Sequence, residues 1–133
     1  SLDFQPCTGF EPLRADADEA ARAYAAYLQA VPLSPAQLPL LPQAHRGAAA
    51  GPIDAAALRA IDDPLSRVVA AGVQLRAGHA SPGMLEAAVE TASAQGWRRP
   101  LLAWLGAQAR AAELAGDAPR AAALRRRMQL AAP

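Results

Sequence analysis

Apolar residues recur along most of this chain at spacings of three and four, the period of an α-helix with one face turned to a core. Ala20, Ala21, Tyr24, Tyr27, Leu28 and Val31 form one such stripe, with Arg22 and Gln29 facing away, and predict an N-terminal helix over residues 16–31. Asp16 or Asp18 can cap its start. The run "VVAAGVQL" at 68–75 is apolar nearly all round, which predicts a central, buried helix. Asp63 caps it, Pro64 occupies the first turn where a missing N–H costs nothing, and Gly78 ends it. Ser81 and Pro82 repeat that start, Leu85, Ala88, Val89 and Ala92 form the next stripe, and Gly96 stops it. A fifth helix from Arg99 to Ala115 turns Leu101, Trp104, Leu105, Ala109 and Ala112 to one side. After Gly116, Asp117 caps a last helix with Ala121, Leu124, Met128 and Ala131 inward.

The remaining segments read differently. Residues 1–14 form an irregular arm that Phe4 and Phe10 can anchor. Residues 32–52 read as a Pro-rich loop; with Val31, this stretch holds five prolines in 22 positions, room for a turn or two of helix around Ser34–Leu38. "GAAAG" at 47–51 reads as a flexible turn, and a short helix is expected at 53–61. No window alternates apolar and polar residues for long, so the expected class is all-α, one domain of 133 residues.

Helix starts near 63, 81, 99 and 117 lie about 18 apart, so helix pairs recur about every 36 residues, the pattern of stacked antiparallel hairpins. Residues 101–133, "LLAWLGAQARAAELAGDAPRAAALRRRMQLAAP", resemble a tetratricopeptide repeat, with Leu105, Ala109, Gly116, Asp117, Ala121 and Pro133 in the places of its large, small, turn, small and closing residues. "DEAARAYAAYLQAVP" resembles the second helix of another repeat through Ala20, Tyr24 and Pro32. Ala112 stands where that family carries an aromatic residue, and Arg125 and Met128 also depart from it. The resemblance implies a protein-interaction scaffold without chemistry of its own.

Composition sharpens this picture in two ways. Alanine dominates a 53% hydrophobic content with only 5% aromatics, so helices are expected to pack closely through small side chains. Charge is uneven. Residues 1–66 hold four Arg and eight acids, a net −4, while residues 67–133 hold nine Arg and four acids, a net +5. All 13 basic residues are arginine, as a GC-rich genome would produce. No apolar run reaches the roughly 20 residues of a membrane span, no signal peptide is present, and the start at Ser1 reads as a mature or trimmed form.

Candidate chemistry is sparse. His45 and His79 read as solvated loop residues, and no spacing supports a Cys7–His dyad. Glu86 and Glu90 share a solvated helix face, no cluster suggests a metal site, and no cofactor motif is present. Trp97 and Arg98–Arg99 at a helix entry, with Arg120, Arg125, Arg126 and Arg127 on the last helix, are the candidate partner-binding residues. Arginines near a helix C-terminus also suit its dipole, which accounts for the triplet without a ligand. The expectation is a non-enzymatic adaptor or interaction module of a bacterial envelope or secretion assembly. It would work in periplasm or cytoplasm and bind a protein partner, an acidic one, through the groove of the stack or the basic C-terminal face. A nucleic-acid-binding helical domain using that basic face is the alternative; the near-neutral total charge weighs against it.

Overall fold

The computed structural model describes residues 8–132. Phe4, Cys7 and the closing Pro133 lie outside the described residues. The described residues hold seven α-helices: α1 (Glu19–Leu28), α2 (Gln43–Ala50), α3 (Ala55–Arg59), α4 (Pro64–Arg76), α5 (Pro82–Gln95), α6 (Arg98–Leu114) and α7 (Ala118–Ala131). Short 3-10 helices span Glu11–Asp16 and Leu38–Leu40, and no strand occurs among the described residues. The protein is all-α, built from helices packed against one another.

Side-chain caps set most helix starts. Asp18, Asp54, Asp63, Ser81 and Asp117 each accept a backbone N–H from three residues ahead. Gly78, Gly96 and Gly116, at φ +80°, +70° and +77°, end α4, α5 and α6 in the left-handed conformation that glycine adopts without cost. α4, α5, α6 and α7 pack in chain order, each on its neighbour, while α1 and α2 cover α4 and α3 sits against α4 and α5. At the α3–α5 contact, a methyl group on Gly83 would come within 3.1 Å of the Ala55 Cβ, so Gly83 lets the two helices approach. The core centres on Val68, Ala70 and Ala71 of α4, Met84, Leu85 and Ala88 of α5, and Trp104 and Leu105 of α6, all buried.

Several expectations need correction. The first helix is shorter than 16–31, because Asp16 belongs to the preceding 3-10 turn and Ala30 takes a left-handed φ of 56° just past the end. Ala23, not Ala20, reaches the core, and Val31 is exposed. The Pro-rich segment is not a plain loop. Gln43–Ala50 contains no proline and follows Pro42, so nothing stops two turns of helix there. The supposed flexible turn at 47–51 is therefore mostly the end of α2, with Gly51 at its C-cap. His45, expected in solvent, is buried on α2 at 3% exposure.

A buried amide fastens this segment to the core. Gln74 of α4 is 1% exposed. Its Nε2 donates to the carbonyls of Ala48 at 2.8 Å and Gly51 at 3.0 Å, and its Oε1 accepts the Ile53 N–H at 3.1 Å. The helical partner of the Ala48 carbonyl would be the N–H of residue 52, which is proline and has none. Gln74 satisfies that orphan group.

Candidate functional site

The candidate basic residues lie along the α6–α7 hairpin but do not converge. Trp97 stands at the N-cap position of α6, half-buried against the core. Arg98 and Arg99, both exposed, follow in the first turn of α6, whereas Arg120 lies in the first turn of α7 at the other end of the hairpin. The 17 residues of α6, at about 1.5 Å per residue, separate those two ends by about 25 Å. Successive residues on a helix are turned by about 100°, so Arg125, Arg126 and Arg127 point to different sides of α7. Arg125 is held by Glu113 of α6, with its Nε 2.9 Å from Glu113 Oε1, an exposed ion pair. Arg126 and Arg127 are exposed.

A groove beside α6 has more shape. A hollow of about 600 Å³ lies between the α4–α5 corner and α6, with Leu75, Ala80 and Leu85 on one wall and Ala103, Gly106, Ala107, Arg110, Ala111 and Leu114 on the other. A smaller hollow of about 190 Å³ shares Leu85 and Ala111 and continues to Gln108, Asp117 and Arg120 near the α7 start. Ala103, Ala107 and Ala111 stand four apart and make a smooth helix face, with Gly106 beside it. Leu114 is 82% exposed at one end of the groove. Arg110 is exposed on its wall and Arg120 lines the extension. The alternation of small residues on the outer side of α6 was readable in the sequence; that α4 and α5 would supply a facing wall was not.

The buried polar cluster lies elsewhere. Tyr27 Oη and His45 Nδ1 are 2.7 Å apart, and the Tyr24 ring meets the imidazole edge-on at 5.7 Å. Burial pushes His45 below the ordinary imidazole range, opposed by the nearby Asp63 carboxylate. Burial also raises Tyr27 well above the usual phenol range. Both groups are thus held neutral and bonded to each other, tying α1 to α2. Leu41, His45 and Ala48 lie at i, i+4 and i+7 and are all buried, a helical stripe that could have been read in the sequence.

His79 is exposed between α4 and α5, far along the chain from α2. Among the described residues, no three His, Cys, Asp or Glu side chains are grouped closely enough to hold a metal ion. No helix among them is long and apolar enough to cross a membrane. No known family, curated protein or solved structure matches the chain.

Proposed function

We propose that this chain is a non-enzymatic adaptor that binds a protein partner in the groove between the α4–α5 corner and α6. The occupant is an apolar, helical segment of the partner carrying an acidic residue. The groove of about 600 Å³ beside the Ala103–Ala107–Ala111 face is the observation that carries this reading. Small side chains let a docking helix come close, Leu114 offers an apolar anchor at one end, and Arg110 and Arg120 supply positive charge for an acidic group. The in-order stacking of α4 to α7 supports a tetratricopeptide-like scaffold, in which paired helices line such a groove. A place in a larger bacterial envelope or secretion assembly suits a module of this kind.

The basic hairpin offers less to a nucleic-acid reading. Its arginines are spread over both ends and several sides of the hairpin, and Arg125 is already paired with Glu113.

A photo-reactive residue at Ala107, with a control at exposed Ala122 on α7, tests the proposal in the native host. An adduct from Ala107 alone, mapping to an apolar segment with an acidic residue, is the expected result. Adducts from both positions, or from Ala122 alone, would refute it.

A further inference from the structure

Two glutamines are buried among the described residues, Gln74 and Gln108, at 1% and 6% exposure. Gln74 uses both ends of its carboxamide: Nε2 donates to two carbonyls and Oε1 accepts one N–H. Gln108 does the opposite. Among the described residues, nothing hydrogen-bonds to its carboxamide. A buried carboxamide without a partner is costly, and folded proteins rarely leave one. Neither polar atom of Gln108 is sealed inside the protein, and the residue lines the hollow of about 190 Å³ that extends the groove.

The hollow is shaped around that side chain. Three alanines of α6 follow Gln108 on the same helix side, at spacings of three, four and seven, and keep the space beside it open. Pro82 and Leu85 of α5 form an apolar wall. Asp117 and Arg120 of the α7 start also line the hollow, and both are exposed, so they mark its rim. Their charges are opposite, so the lining carries no net charge. Asp117 is further engaged as the α7 cap, its Oδ1 accepting the Arg120 N–H at 3.1 Å.

Donor–acceptor balance selects the ligand. A carboxamide donates through Nε2 and accepts through Oε1, side by side. A carboxylate would take the N–H but set an anionic oxygen against Oε1. An ammonium would take Oε1 and leave the N–H unmet. A second primary carboxamide answers both atoms at once, with two parallel hydrogen bonds. Size selects the source. The hollow lies below the roughly 300 Å³ at which pockets for free ligands begin, and it shares Leu85 and Ala111 with the groove. We infer that it is a side pocket of the groove, which receives a glutamine or asparagine side chain of the docked segment and reads it through Gln108. The inference rests on the groove reading and adds a second, uncharged recognition element to it.

The test has two arms. The first needs no partner: the intact protein is titrated with isobutyramide, isobutyrate and methyl isopropyl ketone, three probes of one shape, and the side-chain amide protons of Gln108 are followed by NMR. Isobutyramide should shift them to saturation and bind at least about tenfold more tightly than either analogue. Gln108→Met should erase that preference and, since it removes an unpartnered amide, should melt no lower than the wild type. The second arm uses the segment mapped by the Ala107 adduct. Changing its glutamine or asparagine to leucine should weaken binding to the wild type about tenfold and leave binding to Gln108→Met unchanged. A carboxamide served by water alone would bind the three probes equally or not at all. That result, or a Gln108→Met variant melting well below the wild type, would overturn the side pocket and leave the groove standing. An Ala107 adduct whose segment holds neither glutamine nor asparagine would likewise refute the side-chain source. Isobutyramide binding without any Ala107 adduct would instead remove the groove, and the docked side chain with it.

Discussion

Replacing Gln74 with methionine tests how the Pro-rich segment is held. Methionine keeps nearly the same length and volume, so repacking alone should cost less than about 1.5 kcal/mol. The lost interactions are specific. The Ala48 carbonyl, the Gly51 carbonyl and the Ile53 N–H each lose their only side-chain partner. At about 1 kcal/mol for each bond, the deficit is about 3 kcal/mol. Each kcal/mol shifts the melting temperature of a domain this size by about 4 °C, so Gln74→Met should melt about 12 °C lower. Urea unfolding should show the same loss as a lower midpoint with an unchanged slope. Native-state hydrogen exchange localises the effect, because the Ile53 amide should lose protection far more than amides in α6. A variant with an unchanged midpoint, or with Ile53 as protected as before, would show that Gln74 does not hold this segment.

Three further predictions follow from the same contacts. His45 is neutral and bonded to Tyr27 when folded, and its pKa lies below the ordinary 6.5. The unfolded chain therefore takes up a proton that the folded one resists; stability is complete above about pH 6.5 and falls as the pH drops below it. Urea midpoints across pH 5 to 8 should show this slope, and His45→Phe should remove it; an identical slope in the variant would assign the effect to other groups. Ala30→Gly relieves a left-handed φ of 56° and should stabilise the protein by about 0.5–1 kcal/mol; a loss of stability in thermal melts would contradict that strain. Trp104→Ala removes a large, fully buried side chain of α6 from the core and should cost about 3–5 kcal/mol; a loss below about 1 kcal/mol in urea unfolding would mean the core closes around the gap.

The C-terminal half was legible because its signals agree. Asp63, Ser81 and Asp117 cap helices, Gly78, Gly96 and Gly116 stop them, and the stripes through Leu85, Val89, Trp104, Leu105 and Leu124 are buried in the structure. The N-terminal half was harder because proline density hid a short proline-free helix. Five prolines in 22 residues suggested a loop, yet Gln43–Ala50 needs only eight free positions. His45 was misplaced with that helix, since its burial depends on contact with Tyr27, 18 residues away. The hollows beside α6 were not visible in the sequence, because each needs residues from different helices to face one another across small side chains. The arginines were easy to see, but their spread along the hairpin follows from its antiparallel geometry.

The most direct measurement compares the groove with the basic hairpin in binding the same partner segment, the one mapped by the Ala107 adduct. Its affinity is measured by calorimetry for the wild-type protein, for Ala107→Glu with Arg110→Glu, and for charge reversal of Arg125, Arg126 and Arg127 together. Groove docking predicts at least about a tenfold loss for the first variant, equal to 1.4 kcal/mol, and little change for the second. Unchanged affinity in the groove variant, with loss in the arginine variant, would contradict the groove and place the partner on the basic face.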